Sequence, residues 1–147
     1  MNFKTWSLTL LGLAALGACW SVLRAQDSER SIWDGVYTQE QAKMGQADYN
    51  QHCAPCHSDT LAGGDEAPPL AGGAFLSNWN GLTVGDLFER IRTTMPLGNP
   101  QGVNRETKAR ILAYILNVNR FPAGATELSS RTEVLKLIRI DAEQPKK

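Results

Sequence analysis

Both histidines of the chain and two of its three cysteines fall within six consecutive residues, 52–57. Within them Cys53-Ala54-Pro55-Cys56-His57 is a C-x-x-C-H run. Residues three and four apart share one side of a helix, so a single helical turn would gather the two thiols and the imidazole. The segment that follows, "LAGGDEAPPLAGGAF" (61–75), is so dense in glycine and proline that it cannot sustain a helix. The reactive side chains are therefore expected at the junction between a helix and a long loop.

Helical patterns flank this junction. Thr38 followed by Gln41 has the spacing of a capping box, which predicts a helix starting near Gln39 and running through Met44 and Tyr49 towards Cys53. Gly45, Tyr49 and Cys53 lie on one face of it, and Met44 is expected to fill a core gap. A short turn is expected near "LSNWNG" (76–81). "TVGDLFERIRTT" (83–94) reads as a second helix, with Thr83 as N-cap, Asp86 three residues on, and Leu87, Phe88 and Ile91 facing inward. Pro96 stops it. Asn104 caps a third helix, "RETKARILAYILNVN" (105–119), with an apolar stripe of Ile111, Leu112, Tyr114 and Ile115. No strand pattern is apparent. The tail from Arg131 carries apolar residues at 134, 135, 137, 138 and 140 and is expected to pack on the body. The fold class is all-α: about three main helices and long loops. At 147 residues the chain suits one domain with a small core, and with so much loop something other than side chains should fill its middle.

The first 25 residues differ from the rest. One early lysine precedes an apolar run from about residue 8 to 22, shorter than the roughly 20 residues of a bilayer span and close to a secretory core region. Cleavage after Ala25 is the first reading. "LGAC" (16–19) offers a rival, a lipidated Cys19, and an uncleaved anchor is the third. Each exports the domain to an oxidising compartment, and the periplasm is the expected location. The expected organisation is a signal segment over 1–25 (or a lipoprotein signal ending before Cys19), an arm over 26–37, a domain over 38–122 and a tail over 123–147. Loss of Lys4 and Arg24 leaves a net charge of −2, split as −8 over residues 27–89 and +6 over 90–147. No basic surplus argues for nucleic acid.

Several chemistries use cysteine and histidine together. A tetrahedral zinc site would need four ligands within six consecutive residues, which the backbone makes awkward. A thioredoxin-like dithiol would need a βαβ context that is missing, and a plain Cys53–Cys56 disulfide remains a further alternative. The reading favoured over these is covalent haem attachment, for which C-x-x-C-H is the sequence signature. One helical turn presents both thiols to the two vinyl groups of a porphyrin, and the adjacent imidazole then falls beneath the iron as proximal ligand. No histidine follows His57. Apart from the initiator, only Met44 and Met95 offer sulfur, and Met44 lies too far along the first helix to reach the distal side. Met95, left on a loop by Pro96, is the expected sixth ligand, so the expected metal ligands are His57 and Met95.

With these residues in place, the sequence resembles a class I cytochrome c, with one haem c per chain, over roughly residues 36–122. Gly45 and Tyr49 stand where the family's N-terminal helix has them, "APPL" (67–70) resembles its proline–leucine loop, and Met95-Pro96 resembles its distal ligand and proline. The resemblance implies that the Pro68 carbonyl accepts the proton of His57, and that Tyr114 of the C-terminal helix packs across the N-terminal helix near Gly45. It implies that Phe75, Leu70, Leu87 and Ile91 line the haem pocket, with Trp79 at a haem edge or in the core. Arg90, Arg92 and Arg105 are expected on a solvated face, with propionate pairing or a docking rim as alternatives. "GVYTQEQAKMG", "LSNWNGLTVGDLFERIRTTMP" and "NRFPAG" are similar to exported bacterial mono-haem cytochromes, some of which accompany quinoprotein dehydrogenases.

The implied function is periplasmic electron transfer by a monomer that is no enzyme itself. Its partners would be redox proteins, such as a quinoprotein dehydrogenase or a terminal oxidase, with membrane contact only through a lipid on Cys19. A second class is the electron-accepting subunit of an alcohol or sugar dehydrogenase. A third is a haem-based sensor or peroxidase, which requires a labile sixth ligand.

Overall fold

The computed structural model describes residues 30–65 and 67–146. The expected signal segment, its cleavage point at Ala25 and Cys19 lie outside the described residues. The element order is β1 (Arg30–Ser31), α1 (Gln39–His52), α2 (Ala54–His57), α3 (Gly72–Trp79), α4 (Val84–Thr94), α5 (Arg105–Val118), α6 (Thr132–Leu135) and β2 (Ile138–Arg139). The all-α fold expected of a small cytochrome c is what is found, with α1, α4 and α5 as its long members.

Capping explains where these three begin. Thr38 Oγ1 accepts the Gln41 N–H at 3.1 Å. Thr83 and Asp86 form a reciprocal box, each side chain accepting the other's backbone N–H. Asn104 Oδ1 accepts from Thr107 N at 2.8 Å. Gln41 does not complete a box with Thr38. Its buried amide exchanges two hydrogen bonds with the backbone of Leu128, tying α1 to the segment before α6.

The central packing is α1 against α5. A Cβ on Gly45 would stand 1.8 Å from the Arg110 carbonyl oxygen, so the helices cross in backbone contact that only glycine permits. Tyr49 and Tyr114 meet beside this crossing with ring centroids 5.4 Å apart. Leu112 and Leu116 of α5 are fully buried, as are Phe88 of α4 and Phe75 of α3.

Three expectations change. The turn near "LSNWNG" is instead the end of a helix, α3, which starts inside the glycine-rich stretch. Its N-cap, Ala71, has no capping side chain. The capping comes from Asn119 beyond α5, whose Oδ1 accepts from Gly72 N and whose Nδ2 donates to Leu70 O. Met44 fills no core gap but is 41 % exposed. The buried face of α1 runs through 41, 42, 45 and 49, and residue 44 sits beside that stripe. Strand pairing also occurs: β1 and β2 pair in parallel, Arg30 opposite Ile138.

That pairing organises the tail. Leu135, Ile138 and Ile140 are buried, while Leu137 is 38 % exposed. Ile140 exchanges backbone hydrogen bonds with the 81–82 segment, its N–H donating to Leu82 O and its carbonyl accepting from Gly81 N. The arm is held from the other side. Trp33 Nε1 donates to Asp141 O at 2.9 Å, and its ring meets Phe121 edge-on at 4.9 Å. Tyr37 Oη donates to Phe121 O at 2.6 Å.

Candidate haem site

Cys53 stands between two helices, as the C-cap of α1 and the N-cap of α2. Its carbonyl accepts from both Cys56 N (3.2 Å) and His57 N (2.9 Å), so residues 53–57 form one turn with Pro55 near its start, where a missing N–H costs nothing. Both thiols are free, Cys53 half-buried and Cys56 exposed. Burial pushes the Cys53 thiol up to about 11. At neutral pH it is therefore a protonated thiol.

His57 is buried, and its Nδ1 lies 2.9 Å from the Pro68 carbonyl oxygen. A carbonyl can only accept, so Nδ1 carries a proton, and in the neutral ring Nε2 is the nitrogen with the lone pair. The loop that delivers Pro68 is itself built for the approach. Gly63, at φ +78°, donates to His57 O, and a Cβ there would fall 2.5 Å from Ala67 O and 2.7 Å from Pro69 N. Gly64 N donates to Ala67 O, and Leu70 N to Leu61 O. Tyr49 Oη, held protonated by burial, donates to Ser58 O at 2.8 Å and pins the exit from α2.

The structure thus gathers Cys53, Cys56, His57 and Pro68 into one unit. Met95 stands on a separate element. It caps the C-terminus of α4, its N–H donating to Ile91 O at 3.0 Å, and is half-buried. Of the side chains expected to line the pocket, Phe75 and Leu87 are buried, while Leu70, Ile91 and Trp79 are half-buried against the core. Trp79 leans on Phe75 with centroids 6.5 Å apart.

The arginines divide. Arg90 is exposed. Arg92 pairs with Glu89 one turn earlier, drawing the Glu89 carboxyl down to about 2. Arg105 does not sit on a solvated face. It lies across the Phe88 ring and donates to Ser130 O and Thr132 Oγ1, since the first residue of α5 is within reach of the returning tail. The two charge halves of the sequence also meet, Arg110 Nε donating to Asp48 Oδ2 at 2.7 Å.

One buried polar residue escaped the sequence reading. Lys108 is 2 % exposed on α5, on the same face as Ile111, Leu112 and Ile115. Its Nζ donates to Arg92 O (3.1 Å) and Pro100 O (2.5 Å). The signal for it was position alone, a lysine at i−3 and i−4 of an apolar stripe.

Among the described residues no group of three or more His, Cys, Asp or Glu side chains is placed to hold a metal ion by itself. A zinc cage is thus not what 52–57 builds. Two free thiols on one helical turn, followed by an imidazole with a fixed tautomer, fit covalent haem c. Among curated proteins and among solved structures nothing matches the chain. A family model does match, over residues 40–115, from the first turn of α1 to the last turns of α5. It covers the C-x-x-C-H turn, the Pro68 loop and Met95, and the domain it describes is a c-type cytochrome with covalently bound haem c. By this match the chain belongs to the family described as cytochrome c oxidase, cbb3-type, subunit III.

Proposed function

We propose that the chain is a mono-haem, class I cytochrome c that moves single electrons between exported redox proteins, with iron held by His57 Nε2 and Met95 Sδ. The observation that carries this reading is the 2.9 Å contact between His57 Nδ1 and Pro68 O. It fixes which nitrogen is free to ligate, orients the ring, and makes that nitrogen more basic. Haem supplies the reversible one-electron couple. The residues of the chain do the rest. Cys53 and Cys56 tether the group by thioethers and keep it from exchanging. The Gly63 loop holds the Pro68 carbonyl at its station. Met95 would offer its thioether as the second iron ligand, which would raise the potential and leave no place for a substrate to bind. The buried Phe75 and Leu87 and the half-buried Ile91 would exclude water from the group. Electron transfer in a cytochrome c domain needs nothing more than this fixed, dry environment and a partner within reach.

The location we propose is the periplasm, on the strength of the apolar segment at residues 8–22, followed three residues on by the small Ala25. The partner class we favour is a respiratory terminal oxidase, the assembly named in the family description. Encounters with it would be transient, as is general for redox partners.

The test is a visible spectrum of protein made in a host with c-type haem maturation, reduced and oxidised, after acid–acetone extraction. Colour that stays with the chain, with a weak iron–methionine charge-transfer band in the oxidised state, is the expected result. Retained colour without that band overturns Met95 as ligand. A colourless, matured chain overturns the haem reading altogether. His57→Ala should yield no stable holoprotein, and normal coordination in that variant would remove His57 from the site.

A further inference from the structure

Lys108 is buried, and among the described residues no carboxylate forms an ion pair with its ammonium. Both its hydrogen bonds go to backbone carbonyls, and the two carbonyls are at opposite ends of one loop. Arg92 lies in the last turn of α4. Pro100 opens the short 3₁₀ turn Pro100–Gly102. Between them runs the segment that carries Met95.

The Arg92 carbonyl has a specific need. In a continuing helix it would accept from the N–H four residues on, but that residue is Pro96, which has none. The residue that ends α4 next to Met95 thus also orphans a carbonyl, and Lys108 Nζ takes the place of the missing donor. A cation at a helix C-terminus is further favoured by the helix dipole. The ammonium itself is mounted on α5, whose backbone is in contact with α1 at Gly45, and α1 runs directly into Cys53. One rigid pair of helices therefore carries the haem-attachment turn and also grips both stems of the Met95 loop.

We propose that Lys108 is a positioning residue for Met95: its ammonium clamps the two ends of the segment between Arg92 and Pro100 so that the methionine sulfur stays on the iron and external ligands are kept off. The proposal rests on Met95 being the sixth ligand. An apolar side chain at 108 leaves two carbonyls without a donor and frees the stems to separate, so that the sulfur leaves the iron more often.

The experiment is imidazole titration of the ferric holoprotein, followed through the iron–methionine band. Wild type is compared with Lys108→Met, Lys108→Gln and two controls. The controls are Lys43→Gln, which removes an exposed charge on α1, and Ile140→Ala, which weakens the buried tail. Lys108→Met is expected to bind imidazole at least about tenfold more tightly, about 1.4 kcal/mol. Lys108→Gln, which keeps a neutral NH2 donor group on a shorter side chain, should fall between it and wild type. The controls should match wild type in imidazole affinity even though Ile140→Ala unfolds at lower denaturant. An affinity for Lys108→Met within about twofold of wild type overturns the proposal. So does an equal gain in Ile140→Ala, which would make the effect general loosening. If Lys108→Met yields no holoprotein, Lys108→Gln decides, and equality with wild type overturns the proposal. A wild-type ferric protein without the methionine band instead overturns the ligand assignment, and so is told apart from a failure of the clamp.

Discussion

Gly45 and Arg110 meet backbone to backbone: a Cβ on residue 45 would lie 1.8 Å from the Arg110 carbonyl oxygen and 2.4 Å from its carbonyl carbon. Neither helix can yield without moving its whole buried face. Gly45→Ala is therefore expected to destabilise the holoprotein by about 3 kcal/mol or more, at the upper end of overpacking effects. Chemical denaturation should show a lower midpoint at an unchanged slope. Gly73→Ala is the matched control. A Cβ there meets nothing within 4 Å, and the change should be neutral or stabilising by less than about 1 kcal/mol.

Gly63→Ala tests the proposed ligation by His57 from a distance. The new Cβ would stand 2.5 Å from Ala67 O on a backbone at φ +78°, so the loop must shift and the Pro68 carbonyl must move away from His57. A weaker acceptor leaves the imidazole less basic and stabilises ferric iron less. A potentiometric titration should show the potential rise while covalent haem is retained. An unchanged potential would mean that the Pro68 contact does not tune His57.

Met95→Ala should leave the haem attached and expose the iron. The oxidised-state methionine band should vanish entirely, carbon monoxide should bind the reduced protein at neutral pH, and the potential should fall. A spectrum identical to wild type would exclude Met95 from the coordination sphere.

The acid response of α4 is set partly by Glu89. Its carboxyl falls from an ordinary 4.5 to about 2, mainly because Arg92 donates to it, with Thr132 helping. A depressed carboxylate stabilises the fold at pH values above its unfolded pKa, and that contribution disappears as pH falls from about 4.5 to about 2. The side chain is 38 % exposed, so solvent screens the pair and its worth at neutral pH is below about 1 kcal/mol. Glu89→Gln should lower the denaturation midpoint slightly at pH 7. The gap to wild type should shrink with added salt and close towards pH 2.

What could be read from the sequence and what could not follows from the range of the forces involved. Thr38, Thr83 and Asn104 mark their helices because each caps a backbone N–H three residues away. The C-x-x-C-H turn is legible for the same reason, since its chemistry is complete within five residues. α3 was hidden because its cap, Asn119, arrives from 47 residues later. Arg105 was misplaced on a solvated face because its acceptors, Ser130 and Thr132, belong to a tail whose path the pattern of apolar residues did not specify. Lys108 was overlooked because a lysine in an apolar stripe becomes meaningful only when two carbonyls, themselves eight residues apart in the chain, are brought to it. Met44 shows the reverse error, in which residue type argued for burial and one step of helical phase decided against it.

The parallel register of β1 and β2 has a mechanical consequence. Arg30 lies opposite Ile138 and both strands run the same way, so tension applied through the chain before Arg30 and the chain after Asp141 pulls the two strands in opposite directions along their common axis. The hydrogen bonds between them then bear the load side by side instead of parting one after another. The Trp33–Asp141 bond and the Ile140–Leu82 pairing sit next to them on the same route. A pull on the two ends would load this shear lock before the turn at residues 53–57, so tension along the chain is taken up away from the C-x-x-C-H segment.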